Sequence, residues 1–145
     1  MNKNEQVLSI IEKLKEKKPA KVFKKVYDDL DSGVKFVLMY LMDSDGEVYA
    51  SSISDTMNIS RARVGILLNK MESKGYISKK VSDKDARIEI VELTDKGLNR
   101  CKEIKKEIEK YITTLIEKIG YNELNFFLDT ACKINKILKE GGYIG

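Results

Sequence analysis

The sequence predicts a mainly α-helical protein with a small β-hairpin. Three observations lead to this fold class. Apolar residues recur at helical spacing over most of the 145 residues. Two short strand-like runs, 76–81 and 88–93, flank a charged loop. The hairpin follows two helices that are separated by only a short turn. Because a helix, a turn, a second helix and a hairpin in that order form a winged helix-turn-helix, we expect this architecture.

The first third of the chain predicts three helices. Apolar positions at helical spacing indicate an amphipathic helix over residues 3–17, which Pro19 breaks or restarts. The same period continues over 22–30, and residues 31–33 are expected to be a stop and a cap. The segment 34–41 is apolar on nearly every side, so we expect this helix to be central.

The helix-turn-helix is predicted from its capping residues. Residues 48–50 are consistent with a short strand, and residues 52–57 open with a serine that resembles the start of a capping box. After a tight connection, Ser60 is expected to cap a second helix over 61–74, which Gly75 stops.

Two long amphipathic helices are predicted after the hairpin. One apolar stripe runs from Leu98 to Ile119 in a helix of about 25 residues, roughly 37 Å long. A second stripe runs from Leu124 to Leu138. Such apolar faces, together with that of the first helix, exceed what a small domain can cover, so we expect these N- and C-terminal helices to form a dimerisation region.

The net charge of +4 is concentrated in one part of the chain. Eight basic and four acidic side chains lie between Ser51 and Arg87, whereas the other residues hold nineteen of each. A localised positive patch is the electrostatic footprint of a polyanion binder, although a solvated basic face explains the charge alone equally well.

The helix 61–74 has the pattern of a helix that enters a major groove. One side is apolar, and the opposite side is rimmed by cations. Arg61 and Arg63 occupy the first turn, where the helix dipole disfavours cations, so their placement needs another reason. Asn69 could read adenine or hold a phosphate, and Ile66 could touch a thymine methyl, although single exposed apolar residues are common. The DNA contacts predicted on this helix are Ser60, Arg61, Arg63, Ile66, Asn69 and Lys70.

The charged loop is the predicted wing. Lys84 and Arg87 lie at its tip, and a guanidinium fits a narrow, electronegative minor groove. Asp85 is expected to hold Arg87 or the loop backbone through a charge-assisted hydrogen bond. The alternative is a turn whose acids and bases neutralise each other.

These segments resemble the MarR family of winged-helix transcription regulators. Asp85-Ala86-Arg87 and the later Leu93-Thr94-Asp95-Lys96-Gly97 resemble the family's Asp-x-Arg wing and its Leu-Thr-x-x-Gly strand end. Residues 58–77 resemble the family's recognition helix. The resemblance covers about forty residues and implies a homodimer that binds double-stranded DNA at a palindromic operator, usually as a repressor released by a small ligand or by oxidation.

The resemblance also implies roles for particular residues, and this sequence departs from the family pattern at some positions. Arg87 would be the minor-groove arginine and Asp85 its supporting acid. Gly65 and Ile66 stand where the family often has a Thr-Arg pair, and Ala86 replaces a frequent arginine. We therefore expect less direct base readout and more reliance on phosphates and DNA shape.

A small-molecule effector is implied by the resemblance alone. The candidate ligand contacts are Phe23, Tyr27, Tyr40 and Tyr111. A role as ordinary core residues is the stronger interpretation of these aromatics.

The predicted elements and the resemblance together divide the chain into dimerisation helices, 1–31 and 94–145, and a DNA-binding lobe, 32–93.

Other function classes have little support in the sequence. Histidine is absent, which removes the commonest metal ligand and general base, so we expect neither an enzyme nor a metal or cofactor site. Cys101 and Cys132 are expected to be buried small hydrophobes, and neither lies in the first helix, where the family's peroxide-sensing members keep a reactive thiol. No apolar run approaches the ~20 residues of a membrane span, so a cytoplasmic protein is expected. The alternative function is a winged-helix protein-interaction module that does not bind DNA.

Overall fold

A computed structural model describes residues 1–17 and 32–143. The predicted helical segment 22–30, with Phe23 and Tyr27, lies outside these residues. The helices and strands are α1 (Lys3–Lys17), α2 (Ser32–Asp43), β1 (Val48–Tyr49), α3 (Ala50–Met57), α4 (Arg61–Ser73), β2 (Ile77–Val81), β3 (Glu89–Leu93), α5 (Asp95–Ile119) and α6 (Tyr121–Glu140). The predicted fold class, mainly α-helical with a winged helix-turn-helix, is confirmed.

The chain divides into two compact units. One comprises residues 30–104, and the other comprises residues 1–29 together with 105–145. The core of the second unit is formed by apolar side chains of α1, α5 and α6: Val7, Ile10, Leu14, Ile112, Ile116, Leu124 and Leu128. The assignment of dimerisation and DNA binding to separate parts of the chain stays a prediction.

The unit 30–104 contains a three-stranded antiparallel sheet rather than a hairpin alone. Its strand order is β1-β3-β2. Val48 pairs with Val91, and Ile77 pairs with Leu93, so β3 is the central strand. The two-residue strand β1 thus covers an edge that an isolated hairpin would leave unpaired.

The start of α3 differs from the sequence-based prediction. The helix begins at Ala50, immediately after β1, and Ser52 lies in its first turn instead of preceding it. The Ser52 hydroxyl still stabilises this end: it accepts from the Tyr49 N–H at 3.2 Å and donates to the Tyr49 carbonyl at 2.8 Å. The helix starts early because pairing in the sheet holds Tyr49 extended, directly before the first helical residue.

Only one side of α2 is buried, although the sequence predicts a central helix. Val37 and Leu38 are fully buried, whereas Phe36 is exposed and stacks on Tyr40 with ring centroids 6.2 Å apart. The helix also starts at Ser32, so Gly33 lies inside its first turn rather than in a preceding stop. An ideal Cβ at Gly33 would lie 3.2 Å from the Leu67 side chain, so the glycine permits close packing of α2 on α4.

Thr94 joins the turn after α4 to the helix that follows the wing. Its hydroxyl donates to the Gly75 carbonyl at 2.5 Å and accepts from the Gly97 N–H at 3.0 Å. Its own N–H donates to the Tyr76 carbonyl at 3.1 Å. Thr94 therefore caps α5 and at the same time holds the turn that ends α4. This gives a physical reason for the Leu-Thr-x-x-Gly pattern.

Candidate nucleic-acid interface

The turn between α3 and α4 sets the direction of α4. Asn58 adopts the left-handed conformation at φ 53° and ends α3. The Ser54 hydroxyl donates to the Ile59 carbonyl at 2.7 Å, and the Ser60 hydroxyl accepts from the Arg63 N–H at 3.2 Å. The predicted Ser60 cap is confirmed, and the connection is held by side chains on both sides.

The residues that the sequence predicts to contact DNA lie on the exposed face of α4 and at its N-terminus. Val64, Leu68 and Met71 are buried, as the predicted core face requires. Ile66 points away from the core and is 72% exposed. We use the term recognition face for the exposed side chains at the start of α4 and along its outward side: Ser60, Arg61, Ala62, Arg63, Ile66, Asn69, Lys70 and Ser73. This face is an apolar and amide-bearing strip beside cationic side chains.

Lys79 belongs to the edge of the recognition face, although it was not among the residues predicted from the sequence. Its ammonium group lies 2.5 Å from the Asn69 side-chain oxygen and 3.6 Å from a Glu72 carboxylate oxygen. Glu72 is the acidic residue of α4. The contact between Lys79 and Asn69 joins residues ten positions apart, so only the packing of β2 beside α4 reveals it.

The wing is an ordered turn. The Ser82 N–H donates to the Ile88 carbonyl at 2.9 Å, and the Ile88 N–H donates to the Asp85 carbonyl at 3.0 Å. The Lys84 N–H donates to the Ser82 hydroxyl at 3.2 Å. These bonds close the loop and hold its tip beyond the ends of β2 and β3.

Asp85 holds Arg87, as predicted from the sequence. The Arg87 side chain is 90% exposed, yet its Nε and Nη2 donate to the two carboxylate oxygens of Asp85 at 3.1 and 3.2 Å. The Arg87 backbone N–H donates to the same carboxylate at 2.9 Å. The side-chain hydrogen bond from Arg87, and then the backbone one, lower the pKa of Asp85 below its ordinary value. The acid is therefore ionised at neutral pH and keeps the guanidinium oriented.

The neighbouring lysine on β2 is engaged differently. Lys80 pairs with Glu92 across the hairpin at 2.7 Å, and this hydrogen bond raises the pKa of Lys80. Because successive side chains of a strand point to opposite faces, Lys79 and Lys80 have different surroundings. They offer a matched pair for mutagenesis.

The remaining predicted residues lie elsewhere. Tyr40 is half-buried in the unit 30–104, whereas Tyr111 is exposed and belongs to the other unit. Cys101 is fully buried and its thiol donates to the Leu38 carbonyl at 3.3 Å, and burial raises the pKa of this thiol. Cys132 is only half-buried, and both cysteines are free thiols. The prediction of burial is thus confirmed for Cys101 and holds only in part for Cys132.

Over residues 1–17 and 32–143, no cluster of three or more cysteine, aspartate and glutamate side chains is placed to hold a metal ion. Among the helices described, none combines the length and the apolar character needed to span a bilayer.

Comparison with known proteins identifies the domain. Residues 34–112, from α2 into α5, match the family model described as a winged helix DNA-binding domain. This chain belongs to that family. The matched segment includes the whole of α4 and the wing, so the family assignment rests on the elements that carry the recognition face. This winged-helix protein is also 30% identical over 97 residues to YdgJ, an uncharacterized HTH-type transcriptional regulator of Bacillus subtilis. The match covers 67% of this chain and 59% of that protein.

Solved structures of transcription regulators share the fold. The MarR family transcription regulator SP03579 has a TM-score of 0.69 at 16% identity, over 78% of this chain and 74% of that one. A MepR variant of S. aureus has a TM-score of 0.64 at 19% identity, over 90% of this chain and 95% of that one. The regulator Tm0710 of Thermotoga maritima has a TM-score of 0.53 at 17% identity, over 84% and 87% of the two chains. The resemblance to MarR family regulators is thereby confirmed at the level of the fold.

Proposed function

We propose that this winged-helix protein is a homodimeric repressor that binds a palindromic DNA operator and is released by a small ligand. Each subunit would place α4 in a major groove and the wing, residues 82–88, in the adjacent minor groove. One observation carries the proposal: an exposed helix face with cationic side chains and an exposed, oriented arginine lie in the same compact unit.

The recognition face has the chemistry that DNA binding requires. Arg61 and Arg63 stand at the helix N-terminus, where they are costly unless phosphates or bases compensate for the dipole. Ile66 is 72% exposed, and contact with a thymine methyl would cover this apolar side chain. Lys70 adds a cation one turn further along the helix.

The wing arginine is prepared for a groove contact. Asp85 uses two of the five N–H donors of Arg87, which leaves three for DNA. Because Asp85 already restricts the side chain, less conformational entropy is lost when Arg87 binds. Lys84, exposed at the same tip, can add a phosphate contact.

Exposed apolar side chains support the homodimer. They lie on α1, α5 and α6 in the unit that contains both ends of the chain: Leu8, Ile119, Phe126, Phe127, Ile134 and Ile137. Phe126 is 73% exposed. Four of the six lie on α6, and a helix that exposes this many large apolar side chains is expected to be covered by a partner. A twofold dimer would present two copies of α4, which matches a palindromic operator.

Light scattering after size exclusion tests the dimer. We expect twice the 16.6 kDa chain mass for the wild type. Phe126→Lys should shift the protein toward the monomer, because a charge would be buried in the interface. Lys139→Met, on an exposed position of the same helix, is the matched control. A monomeric wild type at micromolar concentration would refute this part of the proposal.

Ligand release rests on the MarR resemblance. Tyr40 and Tyr111 are the described candidate contacts, and Tyr40 offers a half-buried ring stacked on Phe36. A thermal-shift screen of small aromatic compounds tests this part, since a ligand of the folded state raises the melting temperature. A hit should also dissociate the protein from DNA. A compound that raises the melting temperature and leaves DNA binding intact would contradict ligand release.

DNA binding is tested by fluorescence polarisation with fragments of the DNA that flanks the gene. We expect one fragment that contains a palindrome to bind tightly, with an affinity that falls by orders of magnitude between about 50 and 200 mM salt as counterions are released. An affinity that stays flat over this range would exclude phosphate contacts. Recovery of a protein partner without nucleic acid would favour the interaction-module alternative.

A further inference from the structure

We infer that Lys79 is a positioning residue that fixes the side-chain amide of Asn69, so that Asn69 donates hydrogen bonds to DNA and selects guanine. The inference rests on the proposed DNA-binding function. It differs from the adenine contact that the sequence alone suggests for Asn69, and it assigns a role to a strand residue outside the helix.

The contact between Lys79 and α4 is built into the fold. The ammonium group lies 2.5 Å from Asn69 Oδ1 and 3.6 Å from Glu72 Oε1. The Lys79 side chain is 16% exposed, whereas that of Lys80 is 56% exposed. A lysine is rarely so covered unless its stem packs against apolar surface and its charge is paired. The contacts with Asn69 and Glu72 of α4, and the register of Lys79 with buried Val91, place this side chain at the junction of helix and sheet.

The ammonium determines which end of the amide faces the strand. Asparagine carries an oxygen that accepts and an NH₂ group that donates, and these point in different directions from the same carbon. An ammonium group only donates, so it holds the oxygen and repels the NH₂ group. Asn69 therefore keeps Oδ1 toward β2. Its NH₂ group is directed away from β2, along the exposed recognition face.

The orientation changes which base Asn69 can read. Bidentate recognition of adenine needs the asparagine oxygen to accept from N6 while the NH₂ group donates to N7. Lys79 holds that oxygen away from the groove, so only the donor is presented. Guanine offers two neighbouring acceptors, N7 and O6, on its major-groove edge. An NH₂ group that faces the groove is complementary to this pair of acceptors.

The test compares base preferences across an operator library for four variants and the wild type. We expect Asn69→Ala and Lys79→Met to lose preference for guanine at the same base pair of each half-site, by at least about fivefold, the lower limit for one good base contact. Lys79→Met should gain binding to adenine there, because the amide can then turn. Lys79→Arg retains a donor and should keep the guanine preference. Lys80→Met removes an equal charge from the same strand and should change no preference.

A second measurement does not depend on Lys79 variants being folded. The guanine at the Asn69-dependent position is replaced by 7-deazaguanine, which lacks the N7 acceptor. Wild-type binding should weaken by several-fold, whereas Asn69→Ala should bind both operators equally.

Three outcomes would overturn the inference. Wild-type preference for adenine at the Asn69-dependent position would show that the amide reads in the opposite sense. Equal weakening of Lys79→Met on every sequence, with the salt slope reduced by about one, would make Lys79 a phosphate contact. Insensitivity of the wild type to 7-deazaguanine would remove the guanine contact. If the wild type selects no DNA sequence at all, both the proposed function and this inference fail. If the wild type selects a palindrome but gives any of these three results, only the assignment of Asn69 is refuted.

Discussion

Replacing Gly97 with alanine should destabilise this protein, although the residue lies in a helix, where alanine is ordinarily preferred. An ideal Cβ at Gly97 would overlap the Tyr76 carbonyl oxygen and lie 2.9 Å from the carbonyl carbon and 3.1 Å from Leu93 Cδ2. The same carbonyl oxygen accepts from the Thr94 N–H at 3.1 Å. Any shift that admits the methyl group must therefore disturb the hydrogen bond that joins Thr94 to the turn after α4.

The change in the free energy of unfolding is the sum of two destabilising contributions and one stabilising contribution. Overpacking against backbone that cannot move freely costs about 1–3 kcal/mol. A weakened Thr94–Tyr76 hydrogen bond costs about 1 kcal/mol. The helix preference for alanine over glycine returns about 1 kcal/mol. The net loss is about 1–3 kcal/mol, and we expect the melting temperature to fall by roughly 3–10 °C.

Thermal denaturation followed by circular dichroism measures this change at equal protein concentrations, because association would also shift the midpoint. Gly65→Ala is the control: apart from its chain neighbours and the backbone of its own helix, no atom lies within 4 Å of its ideal Cβ, so the substitution should stabilise α4 by about 0.5–1 kcal/mol. Shifts of the same sign in both variants, or an unchanged Gly97→Ala, would refute the argument that contact with Tyr76 decides the outcome.

Four further predictions test the cap, the wing and the thiols. Ser60→Ala should cost about 0.5–2 kcal/mol of stability by removing the cap of α4, and urea denaturation should detect it. Arg87→Ala should weaken operator binding by about 1–3 kcal/mol in a polarisation titration while leaving the melting temperature unchanged, since the side chain is exposed. Asp85→Ala should also weaken binding, although it removes a negative charge near phosphate; tighter binding would show that Asp85 repels DNA rather than positions Arg87. At pH 8, Cys101 should react with iodoacetamide much more slowly than Cys132, because Cys101 is buried and its raised pKa keeps the thiol protonated. Mass spectrometry of timed samples measures the two rates. Equal rates would contradict this reasoning.

Much of the fold is determined by patterns within a few residues. The apolar period of 3.6 residues located α4 and the long helix α5, because side chains three and four positions apart share a helix face. Ser60 revealed the start of α4 because its cap bond reaches only three residues ahead. The Asp85–Arg87 pair could be expected for the same reason, since two positions separate the partners.

Other features depended on contacts between distant segments. The third strand was missed as part of the sheet because its pairing joins Val48 to Val91, far along the chain. The early start of α3 results from that pairing, so Ser52 was placed wrongly by a local capping pattern. The partial exposure of α2 could not be read from its composition, because an apolar side chain is buried only where another element covers it.

The sequence by itself determined the order of the described helices and strands, the capped helix α4 and the charged wing, since each depends on the chemistry of near neighbours. The tertiary structure alone decided why Thr94 and Gly97 are needed and how the Asn69 amide is held. The physical reason is that these contacts form when β2 packs beside α4 and α5 starts against Tyr76. Such tertiary contacts join residues that are distant in the sequence, so no local sequence pattern predicts them.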